Sequence, residues 1–119
     1  MNIELSGYEF SSIILKLQHC KTIRIDGFIY NSNIMCWSSD FLTNFQVEEL
    51  DLFYVKINTN HQEFYENLFK WISKVEEFKN SLKVLKINEI DITVKEVRKI
   101  AKQKYGLKKL YIPKYSYEE

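Results

Sequence analysis

Apolar and polar positions recur along this chain in one arrangement. From Leu82, apolar residues fall at offsets 0, 3, 5, 8 and 10: Leu82, Leu85, Ile87, Ile90 and Ile92. The same offsets give Val47, Leu50, Leu52, Val55 and Ile57; Leu107, Leu110, Ile112, Tyr115 and Tyr117; and Cys20, Ile23, Ile25, Phe28 and Tyr30. A fifth, partial copy carries Ile3, Leu5, Tyr8 and Phe10. All 24 positions are apolar or aromatic in a chain where such residues make up 45%, which is too regular for coincidence. A fixed internal repeat outranks local propensity as a guide to the fold.

Offsets 3 and 5 are apolar with polar neighbours, and a period of two predicts a strand. The predicted strand cores are residues 3–5, 23–25, 50–52, 85–87 and 110–112. Helical spacing fills the gaps. Ser6-Gly7-Tyr8-Glu9 has the form of a capping box, and Phe10, Ile13, Ile14 and Leu17 follow at helical steps, so a helix is expected over 8–19. Ser38 or Ser39 is placed to cap a short helix carrying Phe41, Leu42 and Phe45. Asn60, with Glu63 three residues on, caps the longest predicted helix, 61–80. Thr93 and Glu96 start another, with Val94, Val97, Ile100 and Ala101 as its buried stripe and Gly106 at its end. Strands alternating with helices, without hairpin signals, predict parallel crossovers. The intervening offsets are mainly polar, so helices are expected on one face of the sheet and water on the other.

The chain resembles leucine-rich repeat proteins, whose pattern is L-x-x-L-x-L-x-x-N/C-x-L. The first six positions are matched by CKTIRI, VEELDL, LKVLKI and LKKLYI. Steps of 27, 35 and 25 residues, with 20 from the partial copy, leave room for helices. They resemble the α/β arrays of ribonuclease-inhibitor and F-box type. At 119 residues a single domain over 1–119 is expected, and the resemblance implies a solenoid arc of about five parallel strands with helices on one face. It departs from the family at offset 8, where Tyr8, Phe28, Val55, Ile90 and Tyr115 replace the expected Asn. A compact α/β sandwich of the anti-sigma-antagonist kind is the competing fold, but its strands need apolar residues on both faces.

Repeat proteins bind with the exposed sheet face. Its central column reads Glu4, Arg24, Asp51, Lys86, Tyr111, expected side by side at ~4.8 Å from strand to strand. Alternating charge makes this a self-neutralising ladder. It also offers a protein-binding face, with Arg24, Asp51, Phe53, Lys86 and Tyr111 as candidate contacts and Tyr54 beside them. Both end strands are expected to be uncapped, which marks them as attachment points for a partner or a larger assembly.

Net charge is +1, but it is unevenly spread: residues 40–78 carry about −5 and residues 79–119 about +6. Within the basic part, Arg98, Lys99, Lys102, Lys104, Lys108, Lys109 and Lys114 lie among Tyr105, Tyr111 and Tyr115. Cations and rings suit RNA phosphates and bases, which makes a structural subunit of a ribonucleoprotein such as the ribosome the alternative reading. With only two Arg in the chain, base-specific readout is weak.

Nothing supports catalysis or a cofactor. His19, His61, Cys20 and Cys36 lack the spacing of a metal site, and Cys20, on a repeat position, is expected to be a buried, inert thiol. Three glycines cannot build a phosphate loop. No apolar run approaches the ~18 residues of a membrane span, no signal peptide is evident, and two cysteines fit a reducing, cytoplasmic setting. The expectation is a non-enzymatic interaction module.

Overall fold

The computed structural model describes residues 3–31, 37–38, 45–53, 55–58, 60–87 and 93–113, with Phe53 by its backbone only. The chain is mixed α/β, with four helices and two three-stranded parallel sheets among the described residues.

The first sheet joins β2 (Thr22–Asp26), β4 (Glu49–Phe53) and β6 (Val84–Ile87), in chain order. Its register follows the repeat offset for offset. Ile23 lies beside Leu50 and Leu50 beside Leu85, while Arg24 lies beside Asp51 and Asp51 beside Lys86. The inward residues Ile23, Leu50, Leu52, Leu85 and Ile87 are buried.

The predicted fifth strand is reduced to one bridge, from Tyr111 to Val84. Tyr111 N donates to Lys83 O at 2.8 Å and Leu85 N donates to Tyr111 O at 3.0 Å. The next rung would need an N–H from residue 113, which is Pro113 and has none, so the ladder stops. The bridge also sits two residues from the expected register, with Tyr111 across from Val84 rather than Lys86. A slip of two preserves which side chains face the core, so the apolar pattern cannot exclude it.

The second sheet joins β1 (Ile3–Leu5), β3 (Phe28–Tyr30) and β5 (Lys56–Ile57), again in chain order. It is built from offsets 8 to 10 of the repeat. Gly27, at φ 76°, turns the chain from β2 into β3. Ile3 and Leu5 pair with Phe28 and Tyr30, so the partial first copy belongs at offsets 8 and 10, not 3 and 5. Apolar-x-apolar reads identically at both places, which is why period two misassigned it. Glu4 therefore leaves the charged column: it lies beside Ile29 and accepts a hydrogen bond from Asn31 Nδ2.

Helix α1 (Gly7–Lys16) starts with the predicted capping box. Glu9 N donates to Ser6 Oγ at 3.2 Å and Ser6 N donates to Glu9 Oε1 at 2.9 Å. Asn60 Oδ1 accepts from Glu63 N at 3.1 Å to open α2 (His61–Lys74). The single helix expected over 61–80 is broken at Val75 (φ −103°, ψ 100°), and α3 (Glu76–Ser81) follows. After the break, Phe78 is fully buried with its ring 4.3 Å from Phe45 and 5.4 Å from Trp71. Helix α4 (Val94–Lys99), capped by Thr93 Oγ1, runs into a π-helical turn, Ile100–Lys104. Gly106 (φ 69°) and a 2.9 Å bond from Leu107 N to Ala101 O end it.

The core centre is aromatic. Phe10 lies 5.2 Å from Phe28, 5.3 Å from Trp37 and 5.9 Å from Phe64, and Tyr30 lies 4.6 Å from Phe64. Each pair adds about 0.5–1.5 kcal/mol beyond its area burial. Trp71 Nε1 donates to Ser38 O at 2.6 Å, and Ser38 N donates to Ser11 Oγ at 2.7 Å, while Ser38 Oγ is buried with no hydrogen-bond partner among the described residues. Cys20, expected to be buried, is exposed: it precedes β2 in the turn closed by Cys20 N to Leu17 O, before side chains begin to alternate. Phe41, Leu42, Cys36, Ile90, Ile92, Tyr115 and Tyr117 lie outside the described residues.

Candidate binding face of the sheet

On β2, β4 and β6 the positions that face away from the core form three rows, the last of them Asp26 beside Phe53. The first holds Thr22, Glu49, Val84 and, through the bridge, Tyr111; the second holds Arg24, Asp51 and Lys86. Tyr111 is 60% exposed. It is brought to the same face as the charged row, but beside Val84. Phe53 occupies the end of β4; its side chain, like the whole of Tyr54, lies outside the described residues.

Ion pairs lace this face along strands and across them. Arg24 lies 3.5 Å from Asp26 Oδ2 on its own strand, and Lys86 lies 3.1 Å from Glu49 on the neighbouring one. Lys83 reaches Glu48 at 3.7 Å. All are partly exposed, and pairs of this kind contribute about 0–1 kcal/mol.

Asp51 is different. It was expected to be solvent-facing, yet it is only 6% exposed, and its Oδ1 has no hydrogen-bond partner. It is a short side chain on the middle strand, between two long ones whose stems cover their surroundings. Burial pushes its carboxyl above the usual range. Arg24 and Lys86 pull it down, and Glu49 and Asp26 push it up. A buried carboxylate oxygen without a donor is costly to keep. Among the described residues of this face it is the group with unused hydrogen-bonding capacity and strong reason to use it.

The basic segment divides in two. Arg98 Nε donates to Ile112 O at 2.7 Å and holds the last described residues against α4. Lys104 Nζ lies 2.8 Å from Glu66 Oε1 and ties the π-helical turn to α2. Hydrogen bonds from Lys104 and then Gln62 hold the Glu66 carboxyl below its usual range, and the same contact raises Lys104. These two cations act inside the fold. Lys99, Lys102, Lys108 and Lys109 are exposed, and Lys114 lies outside the described residues.

Among the described residues no group of three His, Cys, Asp or Glu is placed to hold a metal ion, and no helix is long and apolar enough to cross a membrane. Sequence reasoning missed two depressions. One, of about 220 Å³, lies between α3 and the turn after Gly106. The other, of about 650 Å³, is open beside β1 and α1 and is lined in part by Leu5, Ile13, Gln18 and Ser38. Neither has a signature in the sequence: the first joins residues 72–82 to 106–110, and the second adds Ser38 to the stretch 5–18. Comparisons with protein-family models, with curated proteins and with solved structures find no match to this chain.

Proposed function

We propose that this chain is a non-enzymatic interaction module of leucine-rich-repeat kind, a short solenoid that binds a macromolecular partner through its open sheet face and its ends. Two parallel sheets with strands in chain order, stepping 27 residues from Thr22 to Glu49 and 35 from Glu49 to Val84, support the solenoid reading. The observation that carries the binding reading is Asp51, buried in the middle of the charged row with an unpartnered oxygen. A partner that displaces the Arg24 or Lys86 side chain brings an N–H or O–H donor within reach of that oxygen. Tyr111 supplies an aromatic contact of the type that dominates hot spots.

The test is purification of the tagged chain from its native cell, alongside the double variant Arg24→Glu, Lys86→Glu. The wild type is expected to travel with a partner that the folded double variant loses. Retention of the same partner by the variant rules out the sheet face.

A second reading, a ribonucleoprotein subunit, is favoured by the four exposed lysines 99, 102, 108 and 109. It requires RNA binding that weakens steeply with salt and is abolished by Lys99→Glu, Lys102→Glu and Lys109→Glu together. Absence of RNA binding at low salt removes it.

A further inference from the structure

We infer that the depression between α3 and the turn after Gly106 docks an acidic peptide segment bearing one bulky apolar side chain. The site is separate from the sheet face and does not rest on the reading given for it. Its apolar wall comes from Leu82, Leu107 and Leu110, and its rim from Lys79, Lys108 and Lys109. All three lysines are exposed, and none forms an ion pair with a described residue. That sets them apart from Lys83, Lys86 and Lys104, each of which has a carboxylate within 4 Å. No carboxylate of the described residues lines the groove. Three ammonium groups without an ion pair among the described residues, set around an apolar wall, complement carboxylates around an apolar side chain.

Size and chemistry narrow the occupant. At about 220 Å³ the groove is smaller than the roughly 300–1,000 Å³ of pockets that enclose a drug-sized molecule. It suits a single anchoring side chain. No aromatic residue among the described ones lines it, so among them a nucleobase has no ring on which to stack. Lysine offers a point charge rather than the fork that grips phosphate. Both arginines are elsewhere: Arg24 is on the sheet face and Arg98 is held by Ile112 O. The balance favours peptide over RNA.

The experiment is panning of a random peptide phage library on the full chain. Binding of an enriched synthetic peptide is then followed by methyl NMR. Enriched peptides are expected to carry Leu, Phe or Trp with two or more acidic neighbours, and to shift the methyls of Leu82, Leu107 and Leu110. Changing that bulky residue to Ala should weaken binding about 30-fold, the scale of a hot-spot side chain. The variant Lys79→Glu, Lys108→Glu, Lys109→Glu should abolish enrichment while leaving the spectrum of the free chain folded. Failure to enrich, enriched peptides without acids, or binding unaffected by the triple variant overturns the proposal. So does tighter binding of a uridine oligonucleotide at the same methyls, which assigns the groove to RNA.

Discussion

The two sheets of this protein are made from the same repeat and do different work. The sheet of β1, β3 and β5 is short, and its Phe28 and Tyr30 are nearly fully buried in the ring cluster with Phe10, Trp37 and Phe64. The sheet of β2, β4 and β6 is longer and carries Arg24, Asp26, Glu49, Asp51 and Lys86 away from the core. Rings are concentrated at offsets 8 to 10 and their helices and charge at offsets 2, 4 and 6, while offsets 3 and 5 bury Ile23, Leu50, Leu52, Leu85 and Ile87 in the same core. The separation matters because ion pairs at a surface contribute little to folding, whereas buried rings contribute much. The charged residues are thus free to change without undoing the fold.

The strongest way to break this division is at Phe64, which is fully buried and touches Phe10, Tyr30 and Trp37. Phe64→Ala should cost about 3–5 kcal/mol in urea unfolding, a large part of the stability of a domain this size. Arg24→Ala should cost less than about 1 kcal/mol. Comparable losses would mean the charged face holds the fold together after all.

Gly7 gives the next largest effect. Alanine at a helical position ordinarily gains about 0.5–1 kcal/mol. Here a Cβ would sit inside the indole of Trp37, whose ring is fixed by Phe10, Tyr30, Phe64 and Trp71. Gly7→Ala should therefore destabilise by about 1–3 kcal/mol, with an altered Trp fluorescence spectrum. A gain in stability would show that the cluster yields, and that its packing is less specific than its burial implies.

How much of this could be read from the chain depends on period. Leu50, Leu52, Leu85 and Ile87 were legible because alternation and an exact spacing agree, and the row Arg24, Asp51, Lys86 follows from the same spacing. Caps were legible at Ser6, Asn60 and Thr93, since the residue types that accept N-terminal N–H groups are few. The second sheet was not, because Ile3 and Leu5 fit offsets 3 and 5 as well as 8 and 10. Nor was the slip of Tyr111, a shift of two that alternation cannot detect. The burial of Asp51 depends on what its neighbours cover, and the groove of Lys79, Lys108 and Lys109 on a turn meeting a helix. Those are tertiary facts without a local pattern.

A smaller effect sharpens the comparison from the side of the helices. Ser6 Oγ accepts from Glu9 N at the start of α1, the helix that presents Phe10 to the ring cluster. Ser6→Ala should cost about 1 kcal/mol, read as a lower urea midpoint with an unchanged slope. A changed slope instead would mean that β1 and α1 detach as a unit, and that the ring cluster is less cooperative than its contacts suggest.

The finest test sets two carboxylates against each other through pH. Asp51, on the sheet face, is raised, chiefly by burial; Glu66, on α2, is lowered, chiefly by its bond from Lys104. A raised acid is more easily ionised in the unfolded chain than in the folded one, so its charge opposes folding at pH above its folded value. That cost vanishes below the unfolded value, near 4. Asp51→Asn should therefore raise stability at pH 7 and leave it unchanged at pH 3. A lowered acid has the opposite sign: it stabilises above the unfolded value and loses that contribution as pH falls through its depressed folded value. Glu66→Gln should lower stability at pH 7, with the loss fading in strong acid. Chemical denaturation of both variants between pH 3 and 7 reads the two signs directly. If Asp51→Asn destabilises at neutral pH, then Arg24 and Lys86 outweigh burial and the row is a structural ladder complete in itself. If it stabilises, a folding cost is being carried at the centre of the charged face, and relief of that cost by a partner's donor would favour the proposed binding there.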